Sequence, residues 1–288
     1  MPGSNPHHYG HDSGPDREGG LAANRPQLRQ RRAVLGLIGG GAALALAGCA
    51  QRLAGATGAT PVTDSTAVTE ATGVSSSTGT CTPIPEETAG PFPGDGSNGP
   101  DVLAESDVVR RDITASIGSS TTVAGGVPLT INLLLTDTAN GCDPLAGAAV
   151  YLWQCDREGR YSLYSGGVTG ENYLRGVQEA DAEGAITFES IFPAAYSGRW
   201  PHIHFEVYAD LESALGSGEP IATSQIALPQ DICEVVFATE GYEQSVSNLA
   251  ETSLEGDNVF GDDGGASQLA TVTGDLDTGI TIELAVAV

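Results

Sequence analysis

The chain holds five histidines, and three of them, His7, His8 and His11, lie in a polar stretch at its start. The other two, His202 and His204, fall in the segment PHIHFEVY over residues 201–208. Apolar and polar residues alternate there, which reads as a β-strand. Side chains two apart on a strand point to one face, about 7 Å apart along the chain. Both imidazoles can therefore approach a single point, which makes the first half of a metal site. The bland reading is a pair of surface histidines or of satisfied core histidines. Glu206 and Asp210 are the nearby carboxylates. Glu206 shares the strand face and would give H-x-H-x-E, a set that suits zinc or a two-histidine, one-carboxylate iron site.

The elements that must position these residues read as strands. Residues 127–136 (VPLTINLLLT), 148–154 (AAVYLWQ), 185–192 (AITFESIF) and 220–228 carry strand patterns, and 108–117 alternates loosely. Residues 270–288 read as two strands around Asp275-Leu276-Asp277-Thr278-Gly279. Turn residues separate all of these. Only residues 230–238 look helical. The expected fold class is all-β, a β-sandwich of mixed strands with few short helices.

Composition narrows the function. There are 37 acidic and 12 basic residues, a formal net charge of -25, and every basic residue is Arg. The lack of Lys excludes Schiff-base chemistry and P-loop phosphate binding, which need an amine. The acidity disfavours nucleic acid, whose phosphates would be repelled.

At the N-terminus, Arg31-Arg32 precede an apolar run over residues 33–47 that ends in Ala47-Gly48-Cys49. The run is too short to span a bilayer core of about 30 Å and has the pattern of an export signal. The paired arginines point to the twin-arginine route, and the Cys resembles a lipobox cysteine. The expected organisation is a signal peptide with a polar extension over 1–48, a lipid-anchored Ala/Thr/Ser/Gly tether over 49–80, and a folded domain over 81–288. Lipid on Cys49 would anchor the protein outside the cytoplasmic membrane without spanning it. Four further cysteines, Cys81, Cys142, Cys155 and Cys233, read as two disulfides in an exported domain. Three pairings are possible; Cys81–Cys142 with Cys155–Cys233 is favoured.

Four segments, in order, carry a resemblance. These are Thr88-Ala89-Gly90-Pro91-Phe92; Trp153-Gln154-Cys155-Asp156-Arg157-Glu158-Gly159-Arg160-Tyr161; residues 191–205 (IFPAAYSGRWPHIHF); and Ala222-Thr223-Ser224-Gln225. Together they resemble the intradiol ring-cleavage dioxygenases, including the catechol and protocatechuate types, whose core is a transthyretin-like sandwich. The resemblance implies an Fe(III) cofactor held by Tyr161, Tyr196, His202 and His204. Tyr164, three residues on, is the rival to Tyr161. Phenolates are hard anionic donors that suit a hard cation, and a bound cation can deprotonate a phenol of ordinary pKa about 10. The implied substrate is a catechol, cleaved with O2 between its hydroxyl-bearing carbons to a cis,cis-muconate-type diacid. Arg199 matches a guanidinium that stabilises charge on the ring, Tyr196 a ligand able to take a substrate proton, and Gln225 a polar neighbour of the reacting oxygens.

The sequence also departs from the family. Tyr196 lies only six residues before His202, Trp200 and Phe92 stand where other residues are common, and the helical dimerisation region of catechol-type members is missing. Homo-oligomerisation is left open, as is the choice among catechol, protocatechuate, hydroxyquinol and larger lignin-derived catechols. Residues 145–150 and 181–188 also resemble non-catalytic transthyretin-like surface modules. That rival needs no Tyr/Tyr/His/His set.

Overall fold

The computed structural model describes residues 80–216 and 218–288. The signal, Cys49 and all of the tether but Thr80 lie outside the described residues. Two sheets form the domain. One contains β1 (Pro128–Asp137), β2 (Asp143–Pro144), β5 (Ala185–Ile191), β8 (Thr271–Asp275) and β9 (Gly279–Ala287). In it β1 is central: β5 and β2 pair with it antiparallel, and β9 pairs with it in parallel and carries β8 beyond. The other sheet has the order β4-β3-β6-β7, all antiparallel, with β3 (Ala149–Trp153), β4 (Arg175–Glu179), β6 (His202–Tyr208) and β7 (Ala222–Ala227). The expected mixed-strand β-sandwich is the observed fold.

Alternation builds the core. Leu129, Ile131, Leu133 and Leu135 of β1 and Ile280, Ile282 and Val286 of β9 face Val150, Leu152, Ile203, Phe205, Val207 and Ile226 of the second sheet in one buried cluster. Each such side chain stabilises the fold by roughly 1.5–3 kcal/mol. This fixes the register of β6. A one-residue slip would put His202, His204 and Glu206 into that core and expel Ile203, Phe205 and Val207. The histidines are therefore committed to the outer face of the four-stranded sheet.

That outer face is covered as well. Tyr151, Trp153, Val177 and Tyr208 pack there with Val102, Leu103, Val108, Tyr161 and Ala214. Ala214 belongs to α1 (Leu211–Leu215), whose N-cap Asp210 accepts from the Ser213 amide. Asp210 thus caps a helix and takes no part at the histidines. As a result β6 is buried along its whole length, which for a strand covered on both faces is expected.

Three expectations need correction. Residues 108–117 form no strand but isolated bridges, Val109 to Val177, Asp112 to Glu189 and Ala115 to Val123. Side chains break the ladder there: Arg110 donates to the carbonyls of Asn172, Arg175 and Ala115, and Asp112 accepts from the Thr114 amide. Helices other than α2 (Gln230–Phe237) also exist, notably α3 (Glu243–Ala250). Finally, Cys81–Cys142 is a disulfide closing a separation of 61 residues, but Cys155 and Cys233 are free and buried. They sit in two different apolar clusters, Cys155 with Trp153, Tyr161 and Ala194, and Cys233 with Ile232, Val236 and Phe237.

Candidate active site

The strand β6 brings the two imidazoles together as the spacing requires. His202 Nε2 lies 3.1 Å from His204 Nε2. His202 Nδ1 lies 2.6 Å from the Trp200 carbonyl. A carbonyl only accepts, so Nδ1 carries the proton and Nε2 presents its lone pair. His204 is held differently. Trp153, its cross-strand neighbour, stacks on its ring at 5.0 Å and 5°. Gly90 closes the other side: a Cβ there would stand 3.3 Å from His204 Cε1, and its φ of +72° also favours glycine.

Both sequence-predicted tyrosines reach this point. Tyr196 Oη is 3.1 Å and Tyr161 Oη 3.5 Å from His202 Nε2. A tight turn delivers Tyr161. Asp156 accepts from the amides of Glu158 and Arg160, from Arg160 Nε and from the Tyr173 hydroxyl. Gly159 in that turn has φ +79°, and a Cβ on it would meet Tyr196 Cβ at 3.2 Å, so glycine lets the two tyrosine segments approach. Helix α3 fixes the other side. Its Ser245 Oγ accepts from the Ala195 amide and its Asn248 donates to the Ala195 carbonyl, next to Tyr196.

Tyr164, the rival first phenol, is committed elsewhere. Its hydroxyl accepts from the Gly94 amide at 2.8 Å and donates to Asn98 Oδ1 at 2.6 Å. Glu206, the third ligand of the zinc reading, accepts from the Tyr208 hydroxyl at 2.8 Å. Burial raises its carboxyl to about 7, partly offset by that hydrogen bond. Among the described residues, no three His, Cys, Asp or Glu side chains form a group that could hold a metal; the further oxygen donors beside the two imidazoles are the hydroxyls of Tyr161 and Tyr196.

Arg199 borders the cluster, with Nη1 at 3.4 Å from His202 Nε2. Its Nη2 donates to Gln225 Oε1 at 2.7 Å, and Gln225 Nε2 donates to the Thr88 carbonyl at 2.9 Å. Gln225 also pairs across the strands with His204. The partner that aims Arg199 is Asp257, whose Oδ2 accepts from Arg199 Nε at 2.9 Å and from the Trp200 amide at 2.7 Å. Its Oδ1 accepts from the amides of Val259 and Phe260. Nothing in the sequence marks Asp257 among 37 acidic residues. Phe92 supplies a wall, its ring 4.8 Å from that of Tyr161.

Burial sets the protonation of the cluster. It drives Tyr161 well above the usual phenol value, with Tyr196 adding to the effect, and lifts Tyr196 to about 12. Burial, with Arg199 nearby, lowers His202 to about 3. Burial and His202 hold His204 well below the usual imidazole value. The chain alone thus presents two protonated phenols and two neutral imidazoles, four donors that only a cation would turn into an anionic set. By contrast, a groove of about 690 Å³ on the outer face of the other sheet has Glu283 as its only ionisable side chain and offers no comparable chemistry.

A family model described as "Dioxygenase" matches residues 98–215. An intradiol ring-cleavage dioxygenase from Tetranychus urticae is similar in structure at 27% identity, with a TM-score of 0.57, over 72% of this chain and 94% of that one. A second solved dioxygenase is similar at 26% identity and a TM-score of 0.56, over the same shares of the two chains. The dioxygenase domain of a carbohydrate-binding fusion from Streptomyces sp. SirexAA-E aligns at 23% identity and a TM-score of 0.44, over 72% and 98%. No curated protein matches the chain. Family model and fold agree on the class, a dioxygenase built on a two-sheet β-sandwich. Within that class, the family model and the similarity to a solved intradiol enzyme support an intradiol ring-cleavage dioxygenase.

Proposed function

We propose that the chain holds Fe(III) through Tyr161, Tyr196, His202 and His204, and cleaves a catechol with O2 between its hydroxyl-bearing carbons to a cis,cis-muconate-type diacid. One observation carries the proposal: His202 Nε2 has Tyr161 Oη, Tyr196 Oη and His204 Nε2 all within 3.5 Å. Donors around one first-row cation at about 2.0–2.1 Å stand roughly 3 Å from each other, so the spacing fits. The donor chemistry fits too, since two phenolates would offset two of three positive charges. Bound there, Fe(III) would withdraw electron density from a catechol and open its ring to attack on O2.

The chain's own residues supply the rest. Tyr196 is only partly buried, so its oxygen, once a bound cation had made it a phenolate, would be the one placed to take a proton from an incoming catechol. Arg199, pinned by Asp257 and Gln225, keeps a preorganised positive charge at the site mouth, where a ring acquiring negative charge would lie. Phe92, Trp153 and Gly90 close the opposite side against water. Ferric iron added to purified protein should give a reddish tyrosinate colour, and oxygen uptake across a catechol panel should follow. A colourless protein that takes up no iron overturns the proposal.

We also propose export by the twin-arginine route and anchoring through lipid on Cys49. Fatty-acid labelling lost in Cys49→Ser, and export lost in an Arg31→Lys, Arg32→Lys variant, are the expected results. Labelling that survives the Cys49 change overturns the anchor.

A further inference from the structure

Arg175 is the largest polar side chain enclosed in the domain, with no measurable exposure. Burying a guanidinium is costly unless its charge is paired with a carboxylate, and Arg175 pairs with none among the described residues. Instead all five of its N–H groups find neutral acceptors. Nε donates to Ser162 Oγ at 3.0 Å. Nη1 donates to the Pro93 carbonyl at 2.6 Å and to the Tyr151 hydroxyl at 3.1 Å. Nη2 donates to the carbonyls of Phe92 and Ser162, both at 3.0 Å.

These acceptors come from two segments that meet at the site. Ser162 follows Tyr161, and its Oγ is anchored in turn to the Tyr173 carbonyl at 2.7 Å. Phe92 and Pro93 belong to the segment whose Phe92 ring lies on Tyr161. A planar fork of five donors can hold two backbone segments at fixed separation, which an ammonium cannot do. The Arg175 guanidinium also lies over the Tyr164 ring at 5.5 Å. Tyr164 in turn accepts from the Gly94 amide and donates to Asn98. The backbone of the wall segment is thus held by Arg175 at residues 92 and 93 and by Tyr164 at Gly94.

We propose that Arg175 is a positioning residue that sets both the Tyr161 phenol, through Ser162, and the Phe92 wall of the substrate side, with Tyr164 as a second latch on the wall alone. The inference rests on the reading of the site proposed above. It gives the Arg175 variants a signature distinct from that of Tyr164→Phe.

The test follows three readouts in the full chain. The first is amide exchange without metal at Gly94 and at Val102, whose amide donates to the Gly94 carbonyl at 2.8 Å. The others are the visible band with ferric iron and the split between KM and kcat for catechol. Arg175→Met should speed exchange, move the band and raise KM, each rate or affinity effect on the order of 10- to 100-fold, with kcat changing less. Arg175→Lys keeps the charge but loses the fork, and should resemble the Met variant more than the parent. Tyr164→Phe should speed exchange and raise KM but leave the band in place.

Wild-type exchange, band and KM in Arg175→Met, alongside a lowered Tm, would mean a purely structural residue and overturn the proposal. So would full rescue by Lys, which would assign the role to charge. If the Met variant does not fold, the Lys variant carries the same comparison. If the parent protein shows no ferric band, the proposed function fails separately, and the exchange of Gly94 in the metal-free variants still decides whether Arg175 holds the segment.

Discussion

The two flanks of the cluster are built on different principles. On one flank, Tyr196, Arg199, Gln225 and Asp257 form a chain of charged and polar contacts in which Gln225 and Asp257 are buried, while Tyr196 is half-buried and the Arg199 side chain 15% exposed. On the other, Tyr161 and His204 are enclosed at 1% and 3% exposure. Stacking on Trp153, a tilted ring contact with Phe92, the absence of a Cβ at Gly90, and Arg175 hold them. The enclosed flank is suited to hold a metal ligand still. The open flank is suited to groups that meet substrate and exchange protons. The division follows from β6, whose two histidines split between them: His202 is tied by a hydrogen bond to Trp200, and His204 by packing.

If this division is right, the largest effects come from the phenols. Tyr161→Phe keeps the ring and loses the donor, so iron affinity by chelator competition should fall by at least about 100-fold, beyond what outer partners of a ligand usually cost. Tyr196→Phe should retain more iron but lose oxygen uptake. Equal iron loss in both would erase the distinction between the flanks. Next, Arg199→Met should lower kcat by about 100-fold while iron stays bound, the scale of a lost electrostatic stabiliser.

Asp257 sharpens the same flank. Burial alone would raise its carboxyl, but Arg199 and the amides of Trp200 and Val259 hold it below the usual range. A depressed folded pKa contributes stability above the unfolded value near pH 4, lost as pH falls below it. Asp257→Asn should therefore cost roughly 3 kcal/mol at neutral pH and flatten the acid limb of a denaturation series. An unchanged acid limb would show that Asp257 is not held by Arg199.

Smaller effects separate the flanks by glycine. Gly90→Ala must place a Cβ 3.3 Å from His204 Cε1 at φ +72°, so it should lose about 1–2 kcal/mol and several-fold in iron affinity. Gly198→Ala, at φ +84° with open space around it, should pay a similar backbone cost and keep its iron affinity. Least of all for the site, Cys81→Ser should lower stability by about 4 kcal/mol through the unfolded chain, with the ferric band and KM unmoved.

Much of this was legible in the sequence. Strands β1, β3, β5, β6, β7, β8 and β9 fall on segments with strand patterns, and the H-x-H spacing fixed the facing of His202 and His204 once the core side of β6 was apolar. What escaped is held by polar contacts. Helix α3 lacks an apolar stripe because Ser245 and Asn248 dock it by hydrogen bonds to Ala195. β4 escapes the pattern because a buried Arg175 occupies a core-like position. Asp257 and Arg175 act through partners remote in sequence, which no local spacing reveals. The Cys155–Cys233 expectation failed because cysteine parity says nothing about which apolar cluster each thiol joins.

The proposed chemistry stands or falls on where the ring opens. Aerobic turnover of unsubstituted catechol by the iron-loaded protein, followed by carbon NMR of the product, gives the most direct answer. Opening between the hydroxyl-bearing carbons yields a symmetric diacid, with three carbon resonances. Six resonances with an aldehyde signal, from opening beside the diol, or no oxygen consumed by protein shown to hold iron, would contradict the account.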